Sequence, residues 1–303
     1  MPPPGKILVI RGGAIGDFIL TLPVFTALRE HFPESHCEVL GYPHIANLAL
    51  AGGLVEQVRS IEARPLASFF ARGGKLSDDL RDYFASFAII ISYLYDPDKI
   101  FQINVAACTK AQFIASPHRP DEEEKVHAAK VFLQPLERLA IFDADPVPRL
   151  CLKASATSPD EIALHPGSGS VRKNWPEKKW SELIERILHE TAFKLLLVGG
   201  EAETARLKTL SSNLPRDRFE MAENLPLVNL AARLQTCAGF VGHDSGISHL
   251  AAALDVPGLV LWGDTVEEIW RPPSPRVKVI RNGAGISAVP VAQVADELIN
   301  LRR

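Results

Sequence analysis

Glycines and charged residues cluster at three places where an apolar run gives way to an amphipathic one. The first cluster extends from Arg11 to Asp17, with glycines at positions 12, 13 and 16. This is not the dinucleotide fingerprint spacing, so the turn alone is weak evidence for a dinucleotide. At a helix start, Asp17 would cap free N–H groups and be favoured by the helix dipole. Partly desolvated by Ile15 and Phe18, it would instead suit a general base. Spacing leaves both interpretations open, with capping the more common.

The second cluster runs from His165 to Pro176 and combines hydroxyls, glycines and two adjacent cations. Glycines let a ligand approach the backbone closely, and the helix that follows offers unpaired N–H groups. These features suit a phosphate or diphosphate; the alternative is a solvated turn with incidental basic residues. The order of residues differs from a P-loop, which disfavours an ATPase of that class. The candidate phosphate-binding residues are Ser168, Gly169, Ser170, Arg172 and Lys173.

The third cluster extends from Gly242 to Leu250. Asp244 and Ser245 are natural N-cap residues, and His249 lies one helical turn after Ser245. Beyond capping, the N–H groups of residues 245–247 suit a phosphate, and the Asp244 carboxylate suits sugar hydroxyls. We therefore predict a sugar-phosphate site formed by Asp244, Ser245, Gly246 and His249, facing the same crevice as Lys173.

Other acidic residues give weaker indications. Glu203, just after Gly199 and Gly200, is placed to accept both hydroxyls of a ribose, although taken alone it reads as an exposed surface carboxylate. Two Asp-x-Asp triplets, at 96–98 and 143–145, have the spacing to chelate a hard cation with a diphosphate. Both adjoin proline, which favours ordinary turns.

These clusters need a scaffold that places strand ends side by side. Short apolar runs alternate with amphipathic runs, which is typical of parallel sheets with crossover helices. Ligands bind such doubly wound sheets beyond the carboxyl ends of the strands. A proline-rich segment, 141–149, separates two series of this kind, so we predict two domains, 1–153 and 154–303. Strands are predicted over 6–10, 37–40, 57–61, 88–92, 112–115, 162–164, 194–198, 239–242 and 258–262, and helices over 76–84 and 126–139, with further apolar stripes from Ile15 to Leu22, Trp180 to Leu188 and Ile247 to Leu254.

Composition excludes several classes of protein. The chain has 303 residues and a formal net charge of −3, so it lacks the global positive charge of a nucleic-acid binder. Its four cysteines show no short spacing, which argues against a zinc ribbon or a disulfide framework. Neither a signal peptide nor an apolar run of membrane-spanning length is expected.

The three clusters, in this order, resemble glycosyltransferase family nine, the heptosyltransferases of bacterial lipopolysaccharide core synthesis. The resemblance extends from Lys6–Asp17 and Thr21–Pro23 through His165–Trp180 to Asp244–Leu254. It implies an α/β fold of the GT-B architecture, with two facing Rossmann-like domains and an interdomain cleft. It also implies inverting transfer from a nucleotide-diphospho-sugar, typically ADP-heptose, to a glycan or lipid-linked saccharide acceptor.

Residue roles follow from the same resemblance. Asp17 becomes the base for the acceptor hydroxyl, Lys173 contacts the donor phosphates, and Glu203 reaches the ribose. The Asp244–His249 segment would cradle donor phosphate and sugar, and the N-terminal half would bind the acceptor, with Gly13, Arg11 and Lys99 as candidates. Cations and helix N-termini stabilise a leaving diphosphate, so no cofactor and no metal are expected. The expected absence of a membrane span fits a cytoplasmic enzyme that at most visits the inner membrane surface to meet a lipid-linked acceptor.

Two features depart from the family. The family commonly has Gly-Pro-Thr where this chain has Gly263, Asp264 and Thr265, which adds a negative charge near the diphosphate. The acceptor half also lacks a dense cluster of cations. Two alternatives stay open: a sugar-nucleotide epimerase or hydrolase of the same architecture, and a non-catalytic protein that binds sugar nucleotides.

Overall fold

The computed structural model describes residues 5–153 and 158–300. The chain divides into two compact units, Met1–Pro146 (unit 1) and Val147–Arg303 (unit 2). The predicted boundary at 153/154 adjoins residues 154–157, which lie outside the described residues. The acceptor and donor roles assigned to the two halves stay a prediction.

Unit 1 is built around a parallel five-stranded sheet of order β3-β2-β1-β4-β5. The chain crosses from one side of β1 to the other between β3 and β4, so β1 and β4 flank a topological switch point. Residues 7–11 of β1 are all buried, as expected for a strand covered on both faces. The elements are β1 (Lys6–Arg11), α1 (Ile15–Ile19), α2 (Leu22–His31), β2 (His36–Gly41), α3 (Pro43–Ala51), β3 (Gln57–Ser60), α4 (Asp78–Ala85), β4 (Phe87–Ser92), α5 (Ile100–Ala106), β5 (Gln112–Ala115) and α6 (Ala128–Leu133).

Unit 2 repeats the plan with a parallel six-stranded sheet of order β11-β10-β9-β6-β7-β8. Its switch point lies between β6 and β9, because the chain runs outward from β6 to β8 and then returns to the other side of β6. The elements are β6 (Ser158–Leu164), α7 (Glu177–Glu190), β7 (Lys194–Gly199), α8 (Thr204–Ser211), β8 (Phe219–Glu223), α9 (Leu227–Leu234), β9 (Cys237–His243), α10 (Gly246–Ala253), β10 (Gly258–Leu261), α11 (Glu267–Trp270), β11 (Val277–Ile280) and α12 (Val291–Asn300). The prediction of two doubly wound parallel sheets is confirmed.

Prolines interrupt two helices that periodicity predicts as continuous. The stripe from Ile15 to Leu22 is divided between α1 and α2, since Pro23 has no N–H to donate to the Ile19 carbonyl. The predicted helix over 126–139 is wrong in its second half. There α6 gives way to a 3₁₀ helix over Gln134–Leu139, with Pro135 in its first turn.

The core of unit 2 reaches the edge that carries the polar clusters. Helix α7 buries Trp180, Leu183, Ile184 and Ile187, as the apolar stripe predicts. Pro176 is the N-cap of α7, a position at which its missing N–H interrupts no helical hydrogen bond. The Trp180 ring meets the His243 ring edge-on, with centroids 5.4 Å apart. Burial of a large side chain contributes roughly 1.5–3 kcal/mol, so packing in this core also holds the end of β9.

Two edge strands, β8 and β11, were not predicted. Only Ala222 of β8 is buried, and β11 carries a lysine between its two valines, so neither resembles a buried apolar run. Among the described residues, no helix is long and apolar enough to cross a bilayer.

Candidate functional site

The Asp17 carboxylate closes the turn that follows β1 at the switch point of unit 1. Its Oδ2 accepts a hydrogen bond from the Ala14 N–H at 3.1 Å, and the Thr21 hydroxyl donates to the Asp17 carbonyl at 2.8 Å. Gly13 adopts φ +100°, and a Cβ there would lie 3.0 Å from Asp17 Oδ2. Asp17 therefore caps a backbone N–H group, and its side chain is nevertheless 25% exposed. A carboxylate held in this way is both a cap and an accessible proton acceptor.

Arg11 lies beneath this turn, with its side chain only 2% exposed. Its Nη2 is 3.8 Å from Asp17 Oδ1, and its Nη1 donates to the His118 carbonyl at 3.0 Å. The guanidinium therefore holds protein groups together and presents no open face to a ligand. Lys99, in contrast, is exposed at the start of α5.

A cavity of about 400 Å³ opens beyond the carboxyl ends of β4 and β5. The residues that line it include Tyr95, Lys99, Gln102 and His118. Tyr95 is 73% exposed and its ring centroid is 4.8 Å from that of His118. An exposed aromatic face beside a cation and amide donors suits a saccharide carrying an acidic group.

An ion pair joins the second and third clusters at the switch point of unit 2. Lys173, in the loop after β6, places Nζ 2.6 Å from Asp244 Oδ2, directly after β9. The side chains are 35% and 8% exposed, respectively. The two clusters thus meet as predicted, but Asp244 faces a cation rather than open space. An ammonium has three N–H groups, so Lys173 can bind Asp244 and a phosphate at once.

The remainder of the Lys173 loop is ordered by its own polar groups. Ser168 Oγ lies 2.6 Å from Asn174 Oδ1 and 2.8 Å from the Ser170 carbonyl. Gly169 adopts φ +72°, a conformation that glycine reaches without strain. Arg172 is exposed. The loop therefore presents an exposed cation beside a turn whose hydroxyl is internally satisfied.

His243, the last residue of β9, fixes this loop from below. Its Nε2 accepts from the Trp175 N–H at 2.9 Å and its Nδ1 donates to the Gly167 carbonyl at 3.1 Å. Burial lowers the pKa of His243 to about 4, and burial together with the charge of His243 lowers the pKa of His165 to about 3. Both rings are therefore neutral at pH 7, and the neutral form of His243 supplies the one donor and one acceptor that the loop needs.

Glu203 lies at the third strand end of this edge, after β7. Its Oε2 accepts from the Gly200 N–H at 3.0 Å, and its carboxylate packs so closely on Gly167 that a Cβ there would be 2.4 Å away. Since β9, β6 and β7 are neighbours, Glu203, Lys173 and Asp244 share one edge of the sheet. Arg206 of α8 also reaches this edge and donates to the Pro166 carbonyl at 2.6 Å.

The start of α10 is capped from within. Ser245 is the N-cap, and its Oγ accepts from the Ser248 N–H at 3.4 Å. Gly246 begins the helix, and His249 is buried within it. Contact of these residues with a ligand stays a prediction. Asp264, the departure from the family pattern, is exposed after β10.

The first Asp-x-Asp triplet has structural partners. Asp96 accepts from the N–H groups of Phe101 and Gln102, at 3.3 and 2.9 Å, and Asp98 pairs with Arg72 at 3.2 Å. Within the described part of the chain, no group of three histidine, cysteine or acidic residues is arranged to hold a metal ion.

Sequence reasoning missed three contributors to these sites. His118 and Arg206 reach them through contacts over long sequence separations, and Tyr95 stands in a loop without a motif. The position of Tyr95 shortly after the apolar run of β4 is the one signal that was available.

Comparison with known proteins bears on unit 2 most directly. A family model described as glycosyltransferase family 9 (heptosyltransferase) matches residues 140–294, about half of the chain. The matched range includes Lys173, Glu203 and Asp244 and excludes Asp17.

Lipopolysaccharide heptosyltransferase 1 of Pseudomonas aeruginosa is 38% identical over 133 residues. The alignment covers 43% of this chain and only 33% of that protein. A glycosyltransferase of family 9 from Veillonella parvula superposes with a TM-score of 0.80 at 17% identity, covering 98% of this chain and 97% of the other. The Escherichia coli heptosyltransferase WaaC with ADP superposes with a TM-score of 0.77 at 18% identity, covering 98% and 99%. These structural likenesses confirm the predicted GT-B fold class with its Rossmann-like domains.

Proposed function

Because the chain belongs to glycosyltransferase family 9, we propose that it transfers a heptose or a related sugar from a nucleotide-diphospho-sugar to a saccharide acceptor of the lipopolysaccharide core. The Lys173–Asp244 pair at the switch point of unit 2 carries this proposal, since it places a cation where a doubly wound sheet binds its ligand. We take ADP-heptose as the donor, supported by the ADP in the E. coli relative.

In the proposed reaction, the acceptor hydroxyl loses its proton to the Asp17 carboxylate while its oxygen bonds to the anomeric carbon. The bond from that carbon to the β-phosphate oxygen breaks, and its electron pair leaves with the nucleoside diphosphate. Attack from the face opposite the leaving group inverts the anomeric configuration. One carboxylate suffices as the base.

Charge on the departing diphosphate is stabilised by Lys173 and Arg172 and by the N-terminus of α10. We assign Glu203 to accept hydrogen bonds from the ribose hydroxyls and Asp244 to orient the Lys173 ammonium. No metal has a step in this scheme. The exposed Tyr95 and Lys99 at the cavity of unit 1 are proposed to contact the acceptor. We place the reaction in the cytoplasm, at the membrane face that holds the acceptor.

Product analysis tests this function. The purified chain is incubated with ADP-heptose, with and without a heptose-free core saccharide, in the presence and absence of EDTA. We expect the mass of one heptose to be added to the acceptor, with inverted anomeric configuration by NMR and no loss of rate in EDTA. Asp17→Asn is expected to lower kcat about 10²–10⁴-fold while ADP still binds.

Other outcomes would identify the alternatives. Donor turnover without acceptor indicates an epimerase or hydrolase, and nucleotide binding without turnover across an acceptor panel indicates a binding protein. A rate abolished by EDTA would overturn the metal-free scheme. Preference for a UDP-sugar over ADP-heptose would contradict the donor.

A further inference from the structure

Arg11 is a buried cation at the inner end of the Asp17 turn. It is the last residue of β1, with its side chain 2% exposed. Removing a cation from water is costly unless it is paired and hydrogen-bonded. Burial accordingly lowers the pKa of Arg11, and the Asp17 charge opposes that effect. The contacts of the Arg11 guanidinium indicate what its burial achieves.

Two aromatic rings enclose the guanidinium. Its central carbon lies 4.4 Å from the Phe132 ring centroid and 5.4 Å from that of Tyr93. The Tyr93 hydroxyl donates to the Phe132 carbonyl at 2.5 Å, which ties the two aromatic residues together. Nη1 donates to the His118 carbonyl. The guanidinium is thus held by the residue that follows β4, by α6 and by the segment after β5, and it has little freedom of orientation.

The other end of the guanidinium is directed at Asp17. Nη2 donates to the Asp17 carbonyl at 3.3 Å and lies 3.8 Å from Oδ1, while the Ala14 N–H holds Oδ2. Oδ2 therefore has a hydrogen-bond donor within its own turn, and Oδ1 faces a guanidinium that is itself held by the distant His118 carbonyl. Such an arrangement restricts the rotation of a short side chain that is otherwise one-quarter exposed.

We propose that Arg11 is a positioning residue for the Asp17 carboxylate, held in an aromatic cage, and that it does not contact the acceptor itself. The inference rests on the proposed role of Asp17 as base. A misplacement of about 1 Å costs up to about 10²-fold in rate. Loss of Arg11 should therefore lower kcat and leave the KM values of donor and acceptor little changed.

A double-mutant cycle separates positioning from general stabilisation. Arg11→Met keeps a long apolar stem between the two rings and removes the charge and the donors. We expect this variant to lose about 10–100-fold in kcat with both KM values within about twofold. In an Asp17→Asn background the same change should have no further effect, because no base is left to position. Arg11→Lys should restore only part of the rate, since an ammonium lacks the fork that reaches both His118 and Asp17.

Arg59→Met is the matched control. Arg59 also lies over an aromatic ring of unit 1, 3.9 Å from the centroid of Tyr83, and has no contact with Asp17. The kcat of the Arg59→Met variant should equal that of the wild type. If Arg11→Met does not fold, Phe132→Leu replaces it in the same cycle, since it loosens the cage and keeps the guanidinium.

Three results would overturn the proposal: an unchanged kcat in the folded variant, an equal loss with and without Asp17, or a raised acceptor KM at constant kcat. The last would make Arg11 an acceptor-binding residue. If Asp17→Asn itself reacts at the wild-type rate, the proposed base fails together with this inference. If only the Arg11 variants keep the wild-type kcat, Asp17 remains the proposed base and Arg11 has no positioning role.

Discussion

In the proposed function, the Lys173–Asp244 pair serves both stability and donor binding. Asp244 is almost fully buried, so its carboxylate depends on Lys173 for compensation of its charge. Lys173 is one-third exposed and retains N–H groups for a ligand. The diphosphate of the proposed donor would therefore meet a cation that is already oriented, which would reduce the entropy lost on binding.

Replacing Lys173 tests both roles. Lys173→Met should lower the free energy of unfolding by roughly 1–3 kcal/mol, because it leaves the Asp244 charge without its partner. It should also weaken ADP binding by about tenfold or more, since a charge-assisted contact of about 1.4 kcal/mol is lost. Urea unfolding and calorimetric titration measure the two effects. Lys178→Met removes an exposed lysine of α7 and should change neither.

At the scale of elements, the candidate site residues lie at the carboxyl ends of the strands rather than within them. The buried strands β1 and β7 extend only one residue beyond their predicted ends, because buried parallel strands are short and continuously apolar. The edge strand β5 has the predicted bounds although only Ile114 in it is buried. Placement of the three clusters at carboxyl ends followed from this pattern. What lay beyond prediction depends on long-range packing: the His243 contacts to Gly167 and Trp175 join residues that are 76 and 68 positions apart. Local periodicity carries no such information.

The turn between β1 and α1 offers a second test, through glycine. Gly13→Ala places a residue with a Cβ at φ +100° and 3.0 Å from Asp17 Oδ2. We expect a loss of about 1–2 kcal/mol from the backbone conformation and a lower kcat from displacement of the carboxylate. Gly53→Ala is the matched control, because Gly53 has φ +68° with no atom within 4 Å of its Cβ position. It should lose comparable stability and keep its kcat; equal activity of the two variants would refute the link between Gly13 and Asp17.

At the scale of the whole molecule, net charge describes the sites poorly. The chain carries a formal charge of −3, yet cations occupy the switch point of each sheet: Arg11 in unit 1 and Lys173 in unit 2. The response of stability to pH, in contrast, depends on groups that are buried without charge. The neutral rings of His165 and His243 make folding sensitive to acid.

Stability should fall as the pH decreases below about 6.5, the ordinary pKa of histidine. The pKa of His243 is about 4 in the folded chain, so between these values the unfolded chain binds the additional proton. The contribution of His243 is fully present above pH 6.5 and decreases by about 2 kcal/mol at pH 5, and His165 acts in the same direction. Urea unfolding at pH 7.5 and 5 measures this loss. His243→Gln should be less stable at pH 7.5 and show a weaker pH dependence, whereas replacement of the exposed His189 should leave the dependence intact.

The contact between Gly167 and Glu203 makes the position of a proposed ligand-binding carboxylate depend on a residue without a side chain. A methyl group at position 167 and the Glu203 carboxylate would require the same space. Alanine at 167 would therefore displace the Glu203 side chain. Because Glu203 is the proposed ribose contact, this glycine would act on nucleotide binding indirectly, through the position of Glu203.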